Sequence, residues 1–220
     1  MNCKKENYKN PLADYDLSLK CEEYDYICGV DESGRGALAG PIVACAIILK
    51  QEASTLKIND SKKISEKSRE KLYDQIIQNC VAYDIQMLDA NYVDINGIQL
   101  ANRNVLSTSR ENVLSKIPEN MSVLTIADGN SLWVDDDLIW VQQADSKSLS
   151  VAAASILAKV FRDRLMIDLS EQYPEYLFHQ HKGYGTFIHK AAIRENGKIE
   201  NIHRLTFTKD IPNERTMFGL

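Results

Sequence analysis

Residues 26–49 read YICGVDESGRGALAGPIVACAIIL, and the order of apolar and polar residues in this stretch decides the fold. Tyr26 to Asp31 is a short apolar-rich run that ends on two adjacent acids, Asp31 and Glu32. Pro41 to Leu49 is a second run, rich in β-branched side chains, and both have the length of strands. They stand too close together for a helical crossover, so they pair antiparallel around a glycine-containing turn.

Outward from that hairpin, helical and strand patterns alternate. Ser65 to Cys80 places Leu72, Ile76 and Cys80 at helical spacing behind a candidate Ser65 cap. Val81 to Leu88 reads as a strand, and Ile98 to Ile117 as a helix halted by Pro118. Ser122 to Ala127 and Leu138 to Val141 bring the strands to five. Leu149 to Leu169 is the firmest helix, with Ala153, Ile156, Leu157, Val160, Phe161 and Leu165 on one stripe and Pro174 beyond its end. Its Ala152-Ala153-Ala154-Ser155 run lets the backbone come close to a sheet. A short helical segment follows near Phe187 to Glu195. Such alternation predicts an α/β layered domain whose sheet is mixed, parallel strands joined by helices plus one antiparallel pair. The expected organisation is an arm or short helix over 1–25, the α/β domain over 26–172, and a C-terminal helical and loop region over 173–220 packed on it.

With 220 residues and 44% apolar content, the chain can bury a full core. No stretch approaches the roughly 18 uninterrupted apolar residues of a membrane helix, and the start, MNCKKENYKN, lacks the apolar segment of a secretion signal. The five cysteines are odd in number and form no C-x-x-C pair, which fits reduced thiols in a cytoplasmic protein. A net charge of −5 excludes a protein that coats nucleic acid non-specifically. It does not exclude a nuclease, because a metal-dependent site concentrates acids and regains positive charge when ions bind.

Acids stand where apolar runs give out: Asp31 with Glu32, Asp128 before Gly129, and Asp145 shortly before the long helix. In open α/β sheets the strand ends form the crevice for ligands, so carboxylates from separate strands can converge there. Convergence raises the cost of ionising each group, and a hard divalent ion such as Mg²⁺ or Mn²⁺ removes that cost. Taken singly, each has a plainer reading: a turn for Asp128-Gly129, a helix N-terminal charge for Asp145, a solvated strand end for Asp31-Glu32. Adjacent strand residues face opposite ways, so Asp31 and Glu32 can share a site only if the strand bends or stops there. Gly34 and Gly36 supply a break, let backbone amides approach a ligand, and flank Arg35, whose planar donors suit phosphate. Lys62, Lys63, Lys147 and Lys182 are candidate phosphate contacts or simply solvated charges. Tyr184, between Gly183 and Gly185, is either a stacking surface for a sugar or base, or a core tyrosine. His179, His181, His189 and His203 have no cysteine near them and no structural-zinc spacing, so zinc is not expected.

These residues resemble a known family. Gly29-Val30-Asp31-Glu32-Ser33-Gly34-Arg35-Gly36-Ala37-Leu38-Ala39-Gly40-Pro41 is similar to the opening signature of ribonuclease HII. In the same order follow Asp60-Ser61-Lys62-Lys63, Asp128-Gly129-Asn130, the run from Asp145 to Ile156, His181-Lys182-Gly183-Tyr184-Gly185-Thr186 and Ile202-His203-Arg204. The resemblance implies an RNase H-like mixed five-stranded sheet flanked by helices, with a C-terminal helical part. It implies a monomeric endoribonuclease acting on RNA–DNA hybrids and on duplex DNA that contains ribonucleotides, with Mn²⁺ or Mg²⁺ ions, two per site with substrate. By matching positions, Asp31, Glu32, Asp128 and Asp145 would be the metal-binding carboxylates. Gly34-Arg35-Gly36 would read the 2′-hydroxyl, Tyr184 would stack on the following sugar, and Lys62 and Lys182 would contact the substrate. Ala144 stands where the family usually has Gly, which bears on the loop around Asp145. Two rivals remain on the residues alone. A junction-resolvase-like or integrase-like nuclease on the same fold would cut all-DNA substrates, and an inactive nucleic-acid-binding module would bind no Mn²⁺.

Overall fold

β2 (Ile42–Leu49) is apolar at every position and buried at all but its last residue, as a strand covered on both faces must be. The computed structural model describes residues 9–20 and 23–213. Around β2 it forms one sheet with β1 (Tyr26–Ser33), β3 (Cys80–Leu88), β4 (Val123–Asp128) and β5 (Leu138–Val141), in the order β3-β2-β1-β4-β5. β2 runs antiparallel to β1 and β3, while β1, β4 and β5 are parallel. The sheet is thus mixed and five-stranded, as the sequence leads one to expect.

Among the described residues the eight α-helices are α1 (Leu12–Lys20), α2 (Glu66–Gln78), α3 (Ala90–Asn96), α4 (Ile98–Leu114), α5 (Leu149–Gln172), α6 (Phe178–His181), α7 (Phe187–Asn196) and α8 (Leu205–Thr208). Alternate residues of β2 feed two cores. Val43, Cys45 and Ile47 pack with α2 and α5, and Ala44, Ala46 and Ile48 pack with α4 through Ala101, Val105 and Val113. Ser65 caps α2 by accepting from the Ser68 N–H. α4 ends three residues earlier than the Ile117 expected, because its last turn tightens to Lys116→Val113 and Ile117→Leu114 bonds. α3 was not anticipated. No helix among the described residues is long and apolar enough to cross a membrane.

α5 departs from the single stripe its periodicity suggests. Every residue from Leu149 to Ala158 is buried, because the sheet covers one side while α1 and α2 cover others. Two contacts at its start matter for the site. Gly29 of β1 lies against the backbone of Ser150 and Val151 so closely that a Cβ would overlap it. On the other side, the Asp16 carboxylate of α1 accepts from the Ser150 N–H and hydroxyl at 2.8 and 2.7 Å, a negative charge placed at a helix N-terminus. The N-terminal arm therefore braces α5, a role its sequence did not reveal; residues 1–8 and 21–22 lie outside the described residues. Cys28, Cys45 and Cys80 are free thiols, and burial pushes Cys28 up to about 12, which makes it inert. Cys3 and Cys21 lie outside the described residues, as do 214–220 of the C-terminal region.

The C-terminal region packs on the β1–β2 turn through an Ala39–His203 bridge and Leu38→Gly183 and Arg204→Leu38 backbone bonds. Behind these, the rings of His181 and His189 stack at 4.3 Å, and His189 Nε2 meets His203 Nε2 at 3.2 Å, one nitrogen donating and the other accepting. His179 stands apart on the Ser170 hydroxyl. Burial brings His189 down to about 4 and His203 down to about 3. Imidazoles held neutral in the fold contribute stability that is present above the ordinary value of 6.5 and is lost as the pH falls below it. Acidification from pH 7 to pH 4.5 should therefore cost the wild type on the order of 2 kcal/mol relative to His203→Phe. Urea midpoints of the two proteins that keep a constant separation across that range would contradict it.

Candidate active site

β1 and β4 lie side by side and parallel, with Val30 opposite Ala127. One residue further along each, Asp31 and Asp128 stand together where β4 gives out. Asp31 is opposite Cys45, on the α5 side of the sheet. There it takes hydrogen bonds from the Ser155 hydroxyl and, at 2.8 Å, from the Glu32 N–H. Glu32 points to the α4 side and accepts from the Asn102 side chain. The strand does not stop at these acids; it runs on to Ser33, and the break comes at Gly34, whose φ is +90°. Both acids still line one cleft, because Asp31 is level with Asp128, the last residue of β4, and Glu32 lies one residue past it.

Burial lifts Asp31 well above the ordinary carboxylate range, and the charges of Glu32 and Asp128 add to it. Burial also raises Glu32, against the pull of Arg35, whose guanidinium is 3.8 Å away. Asp128 is raised by burial and partly relieved by the Ala144 N–H, which donates to its Oδ1 at 2.6 Å. Asp145 sits in a 3₁₀ turn, Ala144–Ser146, just before α5; it is 3% exposed, and Lys62 Nζ lies 3.1 Å from its Oδ2. That hydrogen bond holds the Lys62 ammonium above its usual value. The left-handed backbone of this turn falls on Gln143, at φ 55°, not on Ala144. Ala144 therefore needs no left-handed backbone, and its side chain is accommodated without strain.

The four acids thus occupy the end of β1, the end of β4 and the turn into α5. Their side chains do not close round a single point: among the described residues no three acid, histidine or cysteine side chains are disposed to hold an ion. Asp145 is turned to Lys62 and Asp128 to the Ala144 amide. The donor set is nonetheless all carboxylate oxygen, desolvated and mutually repelling, which fits a hard cation better than zinc.

A cleft of about 460 Å³ gathers Asp31, Glu32 and Asp128 with the Gly34–Gly36 turn, Lys62 and Tyr184. The Tyr184 ring is half-buried, with the Arg162 guanidinium 5.2 Å from its centroid and Lys159 Nζ at 5.8 Å. The other lysines point elsewhere. Lys63 pairs with Asp60, Lys147 donates to the Gln142 carbonyl, and Lys182 Nζ donates to the His179 carbonyl with Glu66 at 3.4 Å. Sequence reasoning overlooked Ser61, Arg69, Ser155 and Lys159, which also line the cleft. Ser61 bonds Ser155 at 3.0 Å, and Arg69 holds the Lys62 loop through the Ser61 and Ile64 carbonyls. Ser155 and Lys159 are four apart on α5, one face of a helix, and that spacing was the signal available.

A family model for ribonuclease HII matches residues 28–210. The chain is 44% identical over 207 residues to a ribonuclease HII of Fusobacterium nucleatum, covering 92% of each chain. In structure it is similar to the ribonuclease H2 from Pyrococcus horikoshii, with a TM-score of 0.71 at 23% identity, covering 87% of this chain and 99% of that one. It is also similar to Bst-RNase HIII, solved in complex with Mn²⁺, with a TM-score of 0.68 at 17% identity over 95% of this chain and 73% of the other.

Proposed function

Because the chain belongs to the ribonuclease HII family, and is thereby a hydrolytic ribonuclease, we propose that it cuts 5′ to ribonucleotides within RNA–DNA hybrids and within duplex DNA. The products are a 3′-hydroxyl and a 5′-phosphate. The observation that carries this reading is the meeting of Asp31, Glu32 and Asp128 at the ends of two parallel strands, beside the turn bearing Asp145. Asp31, Glu32, Asp128 and Asp145 are the residues that would hold divalent ions, Mg²⁺ or Mn²⁺, two with substrate bound; a structural relative was solved with Mn²⁺. Such ions would supply Lewis acidity to an attacking water and positive charge to the departing oxygen and the phosphate.

The chain's own residues position the substrate. The buried carboxylates are costly to ionise alone, so the site is built to accept positive charge. Lys62, four-fifths exposed and anchored on Asp145, is free to swing its ammonium to a phosphate. The Gly34–Gly36 turn offers backbone groups to the 2′-hydroxyl, and a site built to bond that group penalises DNA by leaving polar atoms unpaired. Lys182 would have to leave the His179 carbonyl and Glu66 before it could touch substrate.

The test is cleavage of a DNA duplex with and without one embedded ribonucleotide, with the product ends identified. Cutting of both duplexes alike would overturn the reading. Tyr184 stacks on the sugar beyond the cut, its other face backed by Arg162. Tyr184→Ala should keep the fold and weaken cutting at a single ribonucleotide roughly tenfold to a hundredfold, since stacking contributes about 1–3 kcal/mol per base. Tyr184→Phe should retain most activity. Equal rates for all three proteins would remove the stacking role.

A further inference from the structure

Arg162 of α5 and Arg204, which precedes α8, have no exposed surface, and neither pairs with a carboxylate among the described residues. Their donors go to backbone carbonyls. Arg162 bonds Pro41 O at 2.9 Å, Lys182 O at 2.8 Å and Ala39 O at 3.0 Å. Arg204 bonds Gly40 O at 3.2 and 3.0 Å and Arg35 O at 3.0 Å. Two buried cations with no carboxylate in direct contact are costly. What they hold accounts for their presence.

Four of the five carbonyls they grip belong to residues 35–41, the turn that enters the cleft. A trans peptide points its N–H opposite its C=O, and the described chain has no cis bonds. Drawing the Arg35 carbonyl inward to Arg204 therefore turns the Gly36 N–H outward. Gly36 is exposed, lines the cleft with Asp31 and Tyr184, and its N–H has no acceptor among the described residues. Arg162 works from beneath. It occupies the space a Cβ at Gly34 would need, and it holds the carbonyl of Lys182, two residues before Tyr184, while lying against the Tyr184 ring.

We propose that Arg204 and Arg162 are positioning residues for ribose recognition: they aim the Gly36 N–H at the 2′-hydroxyl and fix its separation from the Tyr184 ring. The inference rests on the reading of Gly34–Gly36 given under Proposed function, and deepens it by naming the donor and what orients it.

The experiment measures affinity for two duplexes, one with a single ribonucleotide and one all DNA, with Ca²⁺ in place of Mg²⁺ so that the substrate stays whole. Wild type, Arg204→Met and Arg204→Lys are compared, with Mn²⁺ binding to each free protein followed by calorimetry. The wild type should prefer the ribonucleotide duplex. Arg204→Met should lose that preference by roughly tenfold, the size of one lost hydrogen bond, with all-DNA affinity and Mn²⁺ binding unchanged. Arg204→Lys cannot span the Arg35 and Gly40 carbonyls with a single ammonium, so it should lose preference in the same direction, and it serves should the methionine variant fail to fold. A folded variant that keeps the wild-type preference, or one that loses affinity for both duplexes in parallel, overturns the proposal. A wild type with no preference shows, before any variant is made, that the ribose reading itself is wrong.

Discussion

Asp31→Asn is expected to abolish cleavage, by about a thousandfold or more, while the metal-free protein melts at a higher temperature than the wild type. The two effects have one cause. Asp31 is 6% exposed and faces the charges of Glu32 and Asp128, so its ionised form is disfavoured in the fold and free in the unfolded chain. A carboxyl raised in this way favours the fold below its ordinary value of 3.8, and that contribution is lost as the pH rises through its folded value. At pH 8 in chelator the wild type bears the whole cost. Asparagine removes the charge and keeps the local bonding, because its oxygen can still accept from the Glu32 N–H and the Ser155 hydroxyl can reverse its role. The gain in melting temperature should be roughly 2–4 °C for each kcal/mol relieved. It should be small near pH 4 and widen toward pH 8. Mn²⁺ should then stabilise the wild type more than the variant, because the variant has lost one anionic oxygen donor. Cleavage at the wild-type rate, or a lower melting temperature for the variant at every pH, would remove Asp31 from a shared charged site.

Asp31, Glu32 and Asp128 were legible because they close apolar runs, which mark strand ends, and Asp145 because it stands just before the long helix. Register then did what the sequence could not: pairing Val30 with Ala127 sets Asp31 beside Asp128, although nearly a hundred residues separate them. The direction of long side chains was not legible. Lys62 and Lys182 look alike in the sequence, yet one ammonium lies in the cleft and the other on a helix-end carbonyl. The burial of Arg162 and Arg204 was not legible, although Arg204 closes a quoted motif, because arginine is usually solvated and their burial depends on carbonyls contributed by a turn more than a hundred residues away. α3 escaped because only Ala90 and Val93 of its seven residues are buried, too few to show a period. The alanine run of α5 did announce a close approach to the sheet, and the structure shows where the approach is tightest.

That place is Gly29, and Gly29→Ala should be strongly destabilising. The added carbon would overlap the carbonyl carbon and oxygen of Ser150 and the nitrogen of Val151. These are backbone atoms in the first turn of α5 and cannot rotate aside, so strand and helix must part by on the order of 1 Å. Overpacking of this kind costs about 3 kcal/mol, which for a domain of this size lowers the melting temperature by roughly 6–12 °C. Activity should fall further than the unfolded fraction explains. The same turn of α5 follows Asp145, and one turn later Ser155 bonds Asp31; a shift there separates the acid on the turn from the acids on the strands. Misplacement by about 1 Å can reduce a rate a hundredfold. Gly36→Ala is the control for stability, because a Cβ there meets nothing within 4 Å, and its melting temperature should match the wild type. Should Gly29→Ala melt within a degree of wild type and cleave normally at 20 °C, then α5 does not lie against β1 as described, and the route by which Asp145 reaches the other three carboxylates falls with it.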